Sequence, residues 1–164
     1  MRILIIEDFE PIALAMQSAL SDQGHDVDWI IGVRSFEPFF GIDSRKQNIP
    51  LNPSSYDLVL SDGDLFGPNN GIAIVEQLVA SGVVCVGMSS QPTFNEKMTG
   101  AGAVAGFLKV SAFAAIIEQT VNMQAWQQPS QQTLDAIKAY DNRLREDADL
   151  RRKLDALVMA NMQK

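Results

Sequence analysis

Apolar residues follow two rhythms along this chain. The runs "RILII" (2–6), "VDWII" (27–31), "DLVLS" (57–61), "VVCVGM" (83–88) and "AGFLK" (105–109) are mostly apolar without alternation, which predicts strands buried on both faces. Between them, Ile12, Leu14, Ala15, Met16 and Leu20 recur at helical spacing, and so do Ile72, Ile74, Val75, Leu78 and Val79. Further helices are expected over 93–101 and 111–124. Strand and helix thus take turns five times. A strand that returns parallel to its predecessor needs a crossover, and crossovers cover the faces of the sheet. The expected fold is therefore α/β: a doubly wound five-stranded parallel sheet, flavodoxin-like with order 2-1-3-4-5 by analogy, carrying a C-terminal helical extension. Ligands of such sheets bind at the carboxyl ends of the strands.

Chemistry-bearing residues collect at those ends. The first strand runs into Glu7-Asp8, the third into Asp62 with Asp64 two further on, the fourth into Ser89-Ser90, and the fifth into Lys109. Carboxylates held together repel, so that one of them takes a raised pKa or a cation sits between them. Oxygen ligands suit a hard divalent ion, and Mg2+ accepts a site of few protein ligands. Glu7, Asp8 and Asp62 are the expected carboxylate ligands. With the ion in place, Asp62 is placed to attack a phosphoryl group while Lys109 neutralises its oxygens and Ser89 hydrogen-bonds one of them. Each feature alone has a plainer reading. Asp8 could cap the following helix, Asp62 and Asp64 could be turn residues, and Lys109 a surface lysine. Their coincidence at four strand ends favours a site.

The segments "ILIIEDFEP", "YDLVLSDGDLFGPNNG", "VGMSS" and "FLK" resemble the receiver domain of two-component response regulators, in the order and spacing of that family, over about the first three quarters of the chain. The resemblance implies that Asp62 accepts a phosphoryl group from a histidine kinase or phosphotransfer protein. It implies that Glu7 and Asp8 hold magnesium together with Asp62 and the backbone carbonyl of Asp64, that Ser89 senses the phosphate, and that Lys109 bonds it. The protein is then a phospho-accepting signalling domain rather than an enzyme, with output by contact with a downstream protein target or through a homodimer. Several positions depart from the family. Gly106 stands where receivers usually place an aromatic residue three before the lysine, and Phe107 comes one residue late. Val110 replaces the proline that commonly follows the lysine, and Phe66 another after the phosphoacceptor. The stretch "PFFGIDSRKQNIPLNPSS" (38–55) is longer than a second helix and its loop need, and its prolines suggest an extended surface excursion.

Composition narrows the partners. A formal net charge of -7 repels phosphates and anionic lipids, so neither nucleic acid nor a membrane surface is an expected partner. No apolar run reaches spanning length, and the run after Met1-Arg2 is too short for a signal peptide, which leaves the cytoplasm as the expected location. The single Cys85 reads as a reduced core residue. "GAGAVAG" (100–106) leads into a strand rather than out of one, which excludes a dinucleotide loop. Two other functions compete. "VLSDGDLFG" also resembles the first motif of haloacid dehalogenase-like phosphatases, with Asp62 as nucleophile and Asp64 as acid/base, although that family's last acidic pair follows its lysine and Glu7-Asp8 precedes everything here. A pseudo-receiver that binds partners without phosphate is motivated by Gly106.

Domain organisation is expected as a receiver over 1–124, a linker over 125–132 containing the polar "QQPSQQ", and a helical tail over 133–164. Ser130 is a candidate cap. In the tail, Leu134, Ile137, Leu144, Leu150, Leu154, Leu157 and Val158 recur at roughly helical spacing among mixed charges, with Leu150, Leu154 and Leu157 as the cleanest face. Such a helix packs on its own domain, pairs with a second chain or docks on a partner. Arg151, Arg152 and Lys153 cluster among Asp147, Asp149 and Asp155, which predicts a solvated, salt-bridged face rather than a DNA-binding one.

Overall fold

A computed structural model of the chain describes residues 1–66 and 68–162. Gly67 of the quoted motif and the last two residues of the expected tail lie outside them. In chain order the elements begin with β1 (Arg2–Ile6), α1 (Glu10–Asp22) and β2 (Asp26–Ile30), followed by three short strands, β3 (Gly32–Phe36), β4 (Phe39–Ile42) and β5 (Asn48–Pro50). Then come β6 (Leu58–Asp62), α2 (Gly71–Ala80), β7 (Cys85–Ser89), α3 (Pro92–Gly100), β8 (Ala105–Leu108) and α4 (Lys109–Ile117). Four more helices close the chain: α5 (Met123–Gln127), α6 (Gln131–Lys138), α7 (Tyr140–Glu146) and α8 (Ala148–Met162).

Five strands form one parallel sheet in the order β2-β1-β6-β7-β8. Counting only these strands, the order is the expected 2-1-3-4-5. Register pairs Ile3 with Leu58, Ile5 with Leu60, Asp62 with Met88 and Gly87 with Gly106. Alternation then sorts the core into two layers. Ile3, Ile5, Leu58, Leu60, Met88 and Phe107 face α1, α4 and the C-terminal helices. Leu4, Ile6, Val59 and Cys85 face α2, α3 and the small sheet. Burial on both faces explains why the strands read as continuous apolar runs.

The expected five alternations are four, because no helix lies between β2 and β6. Residues 38–55 are not a loose excursion either. Strands β3, β4 and β5 form a three-stranded antiparallel sheet that buries Val33 and Phe39 in the second core layer. Local chemistry favours strand here: Phe36, Phe39, Phe40 and Ile42 suit a pleated half-buried surface, and prolines at 38 and 50 resist a helix. Gly41 lets β4 lie close, since a Cβ there would stand 2.9 Å from Leu51 Cδ1 and 3.0 Å from Ile30 Cγ2. The β4–β5 turn is held by Asp43 Oδ1, which accepts from the Arg45 and Gln47 N–H groups. Among the described residues the one cis peptide is Glu37–Pro38, so the Lys109–Val110 bond is trans.

Beyond Ile117 the helix expected to reach 124 stops, and α5 places Trp126 in the core. The tail is three helices rather than one amphipathic run. Ser130 caps α6 by accepting from Thr133 N–H, and Asp147 breaks the run before α8, its Oδ1 accepting from the Asp149 and Leu150 N–H groups. Ile137, Tyr140, Leu150 and Leu154 are buried in the first core layer, and α8 packs along α1. Among the described residues no helix is long and apolar enough to cross a membrane.

Candidate functional site

Asp62 is the last residue of β6, one position further inside the strand than its pattern suggests, and 1% exposed. Glu7 and Asp8 follow β1, the neighbouring strand, and Lys109 opens α4 directly after β8. One rim of the sheet therefore gathers them. Carboxylate oxygens of Glu7, Asp8 and Asp62 all lie within 4.8 Å of one another. Lys109 Nζ donates to Asp62 Oδ2 at 2.7 Å and to Glu7 Oε1 at 3.1 Å, and lies 2.9 Å from Glu7 Oε2.

Backbone and neighbouring groups hold the acids in place. Glu7 Oε1 accepts from Phe9 N–H at 2.9 Å, and the Glu7 carbonyl accepts from the Trp29 indole at 2.8 Å. Asp8 Oδ2 accepts from Phe66 N–H at 2.9 Å, which ties the loop after β6 to the loop after β1. Asp8 does not cap α1: the helix begins after Phe9 with no side-chain cap. Asp64 is exposed, and its N–H donates to Asp62 Oδ1 at 3.2 Å. Ser89 ends β7, fully buried, with its Oγ accepting from Gln91 N–H at 3.1 Å.

Electrostatically the cluster is short of positive charge. Burial pushes the Glu7 carboxyl up to about 7, with Asp62 adding to the rise and Lys109 opposing it. Burial depresses the Lys109 ammonium, but Glu7 and Asp62 outweigh it, and its pKa ends above the ordinary value. Glu7 Oε2 is buried and accepts no aligned hydrogen bond. Of the three carboxylates, Glu7 and Asp62 share Lys109, and Asp8 accepts from Phe66 N–H. Two oxygens on opposite sides of a magnesium ion are about 4 Å apart, close to the spread of this trio, so donor chemistry and spacing both fit a hard divalent cation.

Strand alternation decides what Gly106 and Phe107 face. Phe107 faces the first core layer, edge-on to Trp126 with ring centroids 5.5 Å apart, and so does not stand in for an aromatic residue at 106. Gly106 faces α3, where a Cβ would stand 2.6 Å from the Asn95 carbonyl oxygen. The residues that support the site without being assigned a place in it from the sequence are Trp29, Phe66 and Asn95. Phe66 and Trp29 act through one backbone N–H and one indole N–H, and no pattern in a single sequence marks either.

The sheet order and the strand-end acids define a doubly wound α/β protein with a polar rim at the carboxyl ends. More specifically, the fold is that of the receiver domains of response regulators. The chain superposes on the BeF3-activated N-terminal receiver domain of Klebsiella pneumoniae RstA with a TM-score of 0.57 at 19% identity, covering 78% of this chain and 99% of that one. It matches the receiver domain of NarL from Mycobacterium tuberculosis with a TM-score of 0.52 at 15% identity, over 79% and 97% of the two chains. For the Francisella response regulator 1452 receiver domain the values are 0.51, 12%, 72% and 91%. No protein-family model and no curated protein matches the sequence.

Proposed function

We propose that this chain is a phospho-accepting receiver of a two-component or phosphorelay pathway, with Asp62 as acceptor. The observation that carries the reading is the buried Asp62 carboxylate, held at 2.7 Å by Lys109 and grouped with Glu7 and Asp8 at one rim of the sheet. The receiver fold supports it. Glu7, Asp8 and Asp62, with the backbone carbonyl of Asp64, would hold Mg2+. When bound, the ion neutralises the acids and the oxygens of an incoming phosphoryl group.

The chain's own residues do the remainder. Asp62 supplies the nucleophilic oxygen, so the new O–P bond forms as the donor's bond to phosphorus breaks and its electron pair leaves with the donor. Lys109, already beside Asp62, bonds an oxygen of the transferred group, and the Ser89 hydroxyl donates to another. A histidine kinase or phosphotransfer protein is the donor, and output is contact with a downstream protein, through the tail or a homodimer. The chain in this reading assists its own phosphorylation and dephosphorylation and turns over no other substrate.

Exposure to acetyl phosphate with Mg2+ should add one phosphoryl group per chain by intact mass. Asp62→Asn should abolish the gain. Labelling that persists in Asp62→Asn would move the acceptor elsewhere, and absence of labelling in the folded native chain would favour a phosphate-independent module.

A further inference from the structure

Three glycines adjoin one another where α3 meets the sheet. Gly87 and Gly106 are register partners on β7 and β8, and Gly63 follows Asp62 at the end of neighbouring β6. A Cβ at Gly87 would stand 2.6 Å from Met98 Cε, one at Gly63 would stand 2.9 Å from the same atom, and one at Gly106 would meet the Asn95 carbonyl oxygen at 2.6 Å. Helix α3 is thus seated on bare strand backbone. At Gly106 backbone meets backbone, with no side chain between to yield, and such a close-packed contact transmits displacement instead of absorbing it.

Polar ties run from the same seat to Ser89. Asn95 Nδ2 donates to the Ser89 carbonyl at 3.2 Å, and the Phe94 and Asn95 N–H groups donate to the Gln91 carbonyl at 3.0 and 3.4 Å. Asn95 is 7% exposed, and its Oδ1 has no hydrogen-bond partner among the described residues. The one hydrogen bond its side chain makes there is the one to Ser89. A buried amide that is half satisfied costs stability, and the half that is satisfied here is the donor to Ser89. Ser89 sits against the acceptor loop, since a Cβ on Gly63 would lie 3.2 Å from Ser89 Cβ.

We propose that Asn95 is a positioning residue that couples the phosphorylation state of Asp62 to the seat of α3, a role that rests on the receiver reading above. The Ser89 hydroxyl accepts from Gln91 N–H and keeps its own proton for an anionic oxygen. Turning toward a phosphoryl group on Asp62 draws the Ser89–Gln91 segment with it, and the Asn95 amide, held on the Ser89 carbonyl, draws the first turns of α3. The outer side of α3 faces α6 and α7 across a cleft of about 700 Å³, lined by Glu96 and Thr99 on one wall and Lys138 and Arg145 on the other. Movement of α3 changes the width of that cleft. A side chain at position 106 cannot carry the signal, because the backbone of α3 fills its place.

The test uses the full chain with Mg2+ and beryllofluoride as the phosphoryl mimic. Fluorine NMR reports the bound mimic, and hydrogen exchange across Pro92–Gly100 reports α3. In the native protein, binding should be accompanied by a change in α3 exchange. Asn95→Ala, and Asn95→Asp, which keeps the size but cannot donate to the Ser89 carbonyl, should bind the mimic and lose that change. Retention of the native change in either variant would overturn the coupling, as would a bound mimic with unchanged α3 exchange in the native chain. Absence of a bound mimic in the native chain would overturn the receiver reading, and the coupling with it.

Discussion

Glu7 and Lys109 set the balance of charge at the site. Because burial holds the Glu7 proton until about pH 7, a divalent ion must displace that proton below this pH, and binding should weaken as pH falls. Between pH 8 and pH 6 the apparent Mg2+ affinity should drop by about tenfold. Titration calorimetry at the two pH values checks this, and Glu7→Gln should flatten the dependence. Lys109 is 12% exposed in its side chain and serves two carboxylates. Lys109→Ala leaves them unpaired, and protonation of Glu7 relieves part of the loss, so metal-free stability should fall by up to about 3 kcal/mol in urea denaturation, with Mg2+ restoring part of it. The strand-end acids and the lysine were legible as residue types in the sequence. Their supports were not, because Phe66 N–H and the Trp29 indole act through contacts that any of several residues could make.

Among the elements, β3, β4 and β5 depart most from what the apolar pattern suggested. The expectation of a surface excursion failed because its residues carry no long run. The three strands are short, and their buried positions, Val33 and Phe39 among them, acquire meaning only against α2 and the second core layer. Gly41 is the more closely packed of that sheet's two glycines. Gly41→Ala should cost about 1–3 kcal/mol through overpacking against Leu51 and Ile30, read as a lowered thermal midpoint. Phosphoryl labelling should survive, because Asp62 and its partners belong to the parallel sheet. The paired runs of β1, β6 and β7 were readable because burial on both faces leaves no alternation to misread.

At the scale of the molecule, the helices after Ile117 close one face of the sheet. Trp126, Ile137, Tyr140, Leu150 and Leu154 share a core with β1, β6 and α1, and Tyr140 hydroxyl meets Thr120 while Lys153 pairs with Glu118. Leu154→Ala should therefore destabilise the whole chain by about 2–4 kcal/mol. A single cooperative transition in denaturant, shifted as one, would show that the tail and the sheet unfold together. Loss confined to a separate early transition would show instead that the tail is an appended unit.

The sequence by itself determined the parallel sheet and the identity of the acids and the lysine at its rim, because strands buried on both faces and residues at strand ends leave local signatures in composition and spacing; the strand order came from analogy alone. Tertiary structure alone decided that a small antiparallel sheet stands where a surface excursion was expected, that Phe107 turns away from the site, and that Asn95 reaches Ser89. Those outcomes depend on which backbone can approach which. Such distances belong to pairs of segments far apart in the chain, and neither member records them.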